Sequence, residues 1–485
     1  MATDASIGEV KERSVLRNGN FLLLWAAQAI SQTAQNAIWF GVMVVVEEYT
    51  HSTTHLSIAV FSTILPGIVL GIIAGVFVDR MNKKTVLVTS NALRALSVLG
   101  YLLFDRALIV VYIVNLVFCS ISQFFGPAES ATIPRLVRKN QLISANSLFN
   151  LTFTGSQMAG MVLFAPWVLK IFGAQVLFFS AAMAYVIAAV LVYFIPRDEE
   201  PHKPLSALRR ETLFDELWTE VKEGWSFISS DRHTMAAMRH LTLIAGLLLV
   251  MSMLVPRFVV SVLGIRAEDS VYVLAPAGVG VLAGMALMSR LAARFGKTTL
   301  VVTGLWILSA SLLGMSMLQW SQSHLIPFFQ TTVPILPASV GIVSIMMVLA
   351  ALMGVGASLI MVPSQTILME RAPVAARGRI FAVQIMLGNI VAVLPLLFLG
   401  GMADFLGVSV VIGLVAVTVV ALAIVAQRER GLSDRDTEVA VPKEQPTRIE
   451  GRDEKHGEVA VAPAGSDSRV SDTMDESTIS ELPMP

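Results

Sequence analysis

Apolar runs of about twenty residues, separated by short polar stretches, organise almost the whole chain. That length of α-helix crosses a hydrocarbon core of about 30 Å. Twelve such runs are predicted as helices, at 21–46, 56–78, 85–104, 107–125, 145–172, 174–195, 241–263, 271–291, 298–320, 340–362, 381–403 and 406–426. Only Asp404 and Phe405 part the last two. Backbone polar groups must be paired inside lipid, so helices joined by short turns are the natural solution. The predicted class is an all-α polytopic membrane protein.

The basic residues give these helices a direction. One set of connections carries Lys11, Arg13 and Arg17; Arg80, Lys83 and Lys84; Arg135, Arg138 and Lys139; a cluster between Arg197 and Arg239; Arg290, Arg294 and Lys297; and Arg371, Arg377 and Arg379. The alternate set holds only Arg106, Arg266 and, at a helix end, Lys170. The positive-inside rule then predicts a multi-pass plasma (inner) membrane protein with both termini cytoplasmic. A missed or extra helix would break this alternation.

The organisation reads as a cytoplasmic segment 1–20, a six-helix bundle 21–196, a cytoplasmic linker 197–240, a second six-helix bundle 241–427 and a disordered tail 428–485. Lys84-Thr85-Val86-Leu87-Val88 and Lys297-Thr298-Thr299-Leu300-Val301 open corresponding helices, with Gly75 and Gly284 before them, a faint echo of two pseudo-symmetric halves. In the linker, Leu213, Phe214, Leu217, Trp218, Val221, Trp225 and Ile228 recur at helical spacing, which predicts an amphipathic interfacial helix that tethers the halves.

Composition fits this picture. The 485 residues are 55% hydrophobic and 14% charged, against about 25% charged in a soluble domain. The formal net charge is zero, and nothing points to a nucleic-acid partner. A single cysteine, Cys119, excludes an internal disulfide and a multi-cysteine metal site; its apolar surroundings predict packing. The polar start, Met1 to Asn18, does not read as a cleavable signal peptide. Gly296-Lys297-Thr298 lacks the glycine-rich frame of a phosphate loop. No residue cluster predicts catalysis, a metal or a cofactor.

The most specific stretch is Gly75-Val-Phe-Val-Asp79-Arg80-Met-Asn-Lys83-Lys84, in the short connection between the second and third predicted helices. Gly75 removes a side chain, so a neighbouring helix is expected to approach closely. Arg80, Lys83 and Lys84 suit the carbonyl-rich end of the second helix, whereas Asp79 needs a donor from elsewhere. This stretch resembles the signature loop of the major facilitator superfamily of transporters, whose fold is two six-helix pseudo-symmetric halves. The resemblance implies that Asp79 latches to the start of the eleventh helix, beside Arg377 and Arg379, when the cytoplasmic side closes. Arg94 lies about 15 Å along the third helix, a depth that demands a partner. Glu129 is the first candidate and Asp79 the second, a charge network read as structural rather than proton-carrying.

Three further stretches narrow the resemblance. Asn18-Gly-Asn-Phe21-Leu-Leu-Leu-Trp25-Ala-Ala-Gln28, then Phe125-Gly126-Pro127-Ala128 with Ile133-Pro134, and Arg377-Gly378-Arg379-Ile-Phe381 are similar to the macrolide-efflux and enterobactin-exporter branch of bacterial drug exporters. That branch implies export of a hydrophobic or amphipathic small molecule by alternating access, with protons as candidate coupling ions and a monomer as the default. The departures matter too. Ala34-Gln35 stands where relatives often carry Gly-Asp, the antiporter motif of the fifth helix is reduced to Ala165-Pro166, and no carboxylate lies near the middle of a span.

Transporters of this architecture bind substrate near the midplane between the halves. Counting places Gln32, Gln35, Asn36, Asn115, Gln157, Gln384 and Asn389 at that depth, with Trp39 and Phe149 as aromatic flanks. Gln32, Gln35 and Asn36 share one helical face. An amide-lined cavity suits a large, neutral or weakly charged amphipathic solute; alternatively, such amides bind helices to one another. Arg257 is read as snorkelling to the interface. Two alternatives stay open on the same fold: a lipid or lysolipid flippase or uncoupled facilitator, and a transport-inactive membrane sensor.

Overall fold

The computed structural model describes residues 15–103, 107–196, 222, 225–332, 338–372 and 377–440. Among these, helices long and apolar enough to cross a membrane form eleven continuous stretches. One of them, Ser144–Tyr193, runs for 50 residues and is broken at Gly173, whose φ of 81° is open to glycine and strained for other residues. It therefore crosses twice, and the spans number twelve.

The first bundle comprises α1 (Gly19–Thr50), α2 (Thr53–Asp79), α3 (Lys83–Leu99), α4 (Leu108–Leu136), α5 (Leu142–Met158) and α6 (Ala165–Tyr193). A π-helical segment, Ala159–Phe164, carries α5 into the first part of α6, and the chain turns back at Gly173. The second bundle comprises α7 (Arg232–Ser261), α8 (Val271–Phe295), α9 (Lys297–Thr332), α10 (Ala338–Arg371), α11 (Arg377–Leu406) and α12 (Val408–Ala440). The near face is the end of the bundles where α1 begins; the far face is the end where α1 gives way to α2.

Helix starts follow side-chain capping. Asn18 accepts the amides of Asn20 and Phe21, and its own amide donates to the Leu136 carbonyl at 2.5 Å, fixing α1 to the end of α4. Asn82 caps α3 through Thr85, and Asp231 caps α7 through Thr234. Prolines lie inside α2, α4, α7, α8, α10 and α11, which membrane helices tolerate because neighbouring groups satisfy the freed carbonyls.

Helix–helix contact depends on small residues. A Cβ on Gly280 would run into the Ala351 carbonyl, one on Gly284 into the Ser358 hydroxyl, and one on Gly354 into the Ala277 carbonyl, so α8 and α10 cross backbone to backbone. Gly160 meets α1 in the same way at Thr33 and Asn36.

Two predicted boundaries shift. α7 begins at Arg232 rather than 241, because Asp231 supplies a cap upstream of the apolar run. α12 continues past 427 to Ala440, running through Gly431. Most of the linker helix predicted around 213–228 lies outside the described residues; its end, 225–230, is helical, with Ile228 buried. Residues 1–14 and the tail beyond 440 also lie outside them.

Candidate functional site: the interface between the bundles

The two bundles meet toward the far face and part toward the near face. One large apolar cluster runs through both, joining Ile38, Met43, Val60 and Ile64 of the first bundle to Met253, Leu254 and Leu396 of the second. Toward the near face each bundle closes on its own cluster: Phe21, Leu24, Val78 and Phe125 in the first, Met238, Leu241, Leu368 and Ile380 in the second.

Three polar links between the bundles lie on the far face. Asp404, at the end of α11, accepts the Thr53 amide at 2.6 Å, the Thr54 amide at 3.0 Å, and the hydroxyls of Ser52 and Thr54 at 2.7 and 2.6 Å. α2 has no side-chain cap of its own at Ser52; the other bundle supplies one. Glu47, fully buried at the end of α1, pairs with Arg257 of α7 at 3.1 Å. Lys170 pairs with Asp269 at 2.9 Å. Sequence reading reduced Asp404 to a turn residue and Arg257 to a snorkelling cation. The structure corrects both, and the signal available was a charge of each sign near the far ends of α1 and α7.

Within the second bundle the near face has ion pairs of its own, Arg239–Glu429 at 2.7 Å and Arg371–Asp231 at 3.0 Å. Burial would raise the Asp231 carboxyl, but hydrogen bonds from Thr234 and the Arg371 charge outweigh it and hold it below the ordinary aspartate range.

The predicted cavity residues separate. Trp39 packs with Met161 of the first bundle against Ser252, Val255, Pro256 and Leu274 of the second, at the point where the bundles close. Gln35, Asn36 and Gln32 lie four, three and seven residues before it, on the same stripe and toward the near face; each is partly exposed. They therefore stand where the bundles part. The Asn36 amide also donates to the Gln32 carbonyl at 2.8 Å. Gln157 is exposed on α5, between Ser156, which donates to Ala29 of α1, and Met158, which lies against Gly278 of α8. Gln384 lies on the 384–388–392 stripe that packs on α7 at Ala245 and Gly246, and its side-chain oxygen is buried without a protein partner. Asn389, partly exposed, is about 140° around the helix from Gln384.

Two expected cavity residues are placed elsewhere. Asn115 is buried in the first bundle, donating to the Ala59 carbonyl and Ser62 hydroxyl at 3.1 and 2.7 Å and accepting from Tyr101 at 3.2 Å. It binds α2 to α4, the alternative role for a membrane amide. Phe149 is also a core residue, edge-on to Phe21 at 5.7 Å.

The signature loop sits at the near face. Lys83 is buried and donates to the Asp79 carbonyl at 2.7 Å, among the last carbonyls of α2, while Lys84 lies 5.0 Å from the Tyr193 ring. Arg80 is partly exposed and Asp79 is exposed. The side chains of Arg377 and Arg379 lie outside the described residues. The close approach expected at Gly75 is absent: a Cβ there would meet nothing within 4 Å. Arg94 is buried in the first bundle, where it donates to the Ser122 carbonyl at 3.2 Å and faces the Phe125 and Tyr185 rings.

A crevice of about 480 Å³ lies among α7, α11 and α12. Its lining is apolar apart from Thr242 and Thr418, and Leu394 and Phe398 stand exposed at its rim, so it faces lipid rather than the gap between bundles.

Two six-helix bundles, joined on one face and parted on the other around a stripe of amides, define a polytopic membrane protein of the transporter type. The sequence profile of the Major Facilitator Superfamily matches residues 24–335, and the chain belongs to that family. It is 24% identical over 402 residues, 82% of this chain and 90% of the relative, to the uncharacterised MFS-type transporter YfiS of Bacillus subtilis (strain 168). It is 26% identical over 220 residues to macrolide efflux protein A of Streptococcus pyogenes, covering 44% of this chain and 52% of that one. Among solved structures it is similar in fold to the nucleoside transporter NupG (TM-score 0.61, 12% identity, 84% of this chain and 98% of that one). It is also similar to a bacterial homologue of the iron transporter ferroportin in an inward-facing state (TM-score 0.61, 14% identity, 85% and 99%).

Proposed function

We propose that this chain is a secondary transporter of the plasma membrane that exports a hydrophobic or amphipathic small molecule by alternating access, driven by protons. The observation that carries the reading is the amide stripe Gln32–Gln35–Asn36 directly below the closed contact at Trp39, where the bundles part. Half-exposed amides beside an aromatic ring bind a large, weakly polar solute, with apolar burial supplying most of the affinity and the amides fixing orientation. The relation to a macrolide efflux protein supports an amphipathic cargo. With both termini cytoplasmic, the near face loads from the cytoplasm. Export then requires the three far-face links to break while Asp79 latches against the start of α11. The transporter acts as a monomer.

The test is efflux of a lipophilic dye panel from vesicles holding the purified protein, with and without an imposed pH gradient. Gradient-driven efflux that is lost in Gln35→Ala and in Asp79→Ala supports the reading. Gradient-independent movement of dyes or labelled lipids identifies an uncoupled facilitator or a lipid flippase instead. Absence of any movement by a folded protein identifies a transport-inactive sensor.

A further inference from the structure

The first bundle has an unusual core at the level of Arg94. Asn91 and Arg94 lie on one face of α3, three residues apart, and are 0% and 2% exposed. Neither polar atom of the Asn91 amide has a protein partner, nor does the Arg94 Nε. The hydroxyl of Tyr185, on α6 and also 0% exposed, has none, although its ring lies 5.6 Å from the guanidinium. Glu129 approaches from α4, two turns beyond the Ser122 carbonyl that Arg94 holds, with one carboxylate oxygen buried and unpartnered. Five buried polar atoms from three helices, the Arg94 Nε among them, thus lack a protein partner in this core. An unsatisfied buried polar group costs about 1–3 kcal/mol, so a dry cluster of five would cost a large part of the stability of a bundle.

Water answers this deficit, since a buried water makes about three hydrogen bonds to such groups. The charges decide what else the site holds. Among the described residues, the charged group that acts on Glu129 is Arg94, and the titratable groups that act on Arg94 are Tyr185, Glu129 and Cys119. Glu129 is partly exposed toward the near half of the bundle, so it can exchange a proton with solvent on that side. Protonating it leaves Arg94 as a fixed positive charge held by the Ser122 carbonyl and two aromatic faces; ionising it sets a negative charge in the field of that cation.

We propose that the core of the first bundle holds an internal water cluster that binds a proton, with Glu129 as the acceptor and Arg94 as the fixed counter-charge. The carboxylate takes the proton from near-face water through the cluster and returns it by the same route or, in the opposite conformation, to the other side. For coupling to transport the proposal rests on the function proposed above; proton and water binding stand without it.

Infrared spectra of the purified protein in lipid, titrated across neutral pH, test the binding directly. A buried carboxylic C=O band that grows on acidification and is missing in Glu129→Gln is the expected result. Identical titrations of the two proteins overturn the proposal. Tyr185→Phe separates a wet core from a dry one. If water bonds the hydroxyl, removing it lowers thermal stability; if the pocket is dry, losing an unsatisfied group raises it, and the proposal falls. Both measurements work in a protein that moves no dye, so failure here is distinguishable from failure of the transport reading. Where dye efflux is gradient-driven, Glu129→Gln is expected to abolish its pH dependence.

Discussion

At the far face, Glu47–Arg257, Lys170–Asp269 and the Asp404 cap over the start of α2 tie the two bundles together. At the near face each bundle closes on its own apolar cluster, and Asp79 stands exposed. Charged links suit a joint that must open. Once parted, each charge regains water, so the cost of separation is partly offset by solvation. Permanent contacts such as α8 on α10 use apposed backbones instead, where separation would lose packing and gain nothing in return. The difference separates links whose groups solvent can satisfy from contacts that solvent cannot replace.

The largest test of that distinction is Arg257→Ala, which takes the arginine from buried Glu47 and leaves it His51 at 3.7 Å. It is expected to cost about 3–5 kcal/mol of this conformation. The readout is a fall in thermal stability, together with new far-face reactivity of a cysteine placed at Ser252; Glu47→Gln in the same chain recovers much of the loss. Next comes a glycine pair. Gly280→Val forces apart α8 and α10 and is expected to cost about 1–3 kcal/mol in unfolding measurements. Gly75→Ala has open space and a better helix former, so stability holds or rises by about 0.5–1 kcal/mol. If the near face closes during transport, the same Gly75→Ala protein slows turnover, which would separate a moving contact from a fixed one. Asp404→Ala removes the borrowed cap and is expected to cost about 1–2 kcal/mol, with Asp404→Asn recovering most of it. The smallest effect is Lys170→Gln. This cation is exposed, and no change in melting temperature is expected at physiological salt. A large change there would mean that the far-face pairs act as one network rather than as separate links.

Much of the fold was legible because membrane helices are written in local composition. Run length, basic alternation and the break at Gly173 each depend on a few adjacent residues. The near-face end of α7 was misjudged because the cap at Asp231 lies in a polar stretch that hydropathy assigns to the linker. The candidate site was less legible. Depth along a helix could be counted, so Gln35 and Asn115 looked alike; which way each side chain points depends on partners from other helices. Asn115 is spent on Ala59, Ser62 and Tyr101, whereas Gln35 lies on the stripe that leads to Trp39.

The sequence by itself determined that this chain crosses a membrane twelve times, in two halves, with a signature loop between α2 and α3. Those properties follow from the cost of placing charge and unpaired backbone in lipid, a cost that each segment meets alone. Only the tertiary structure decided that Asp404 caps a helix of the other bundle, that Glu47 needs Arg257, and that Arg94 shares its core with Tyr185. Each of these joins residues dozens to hundreds of positions apart, and the energy that selects them exists only once the helices have packed.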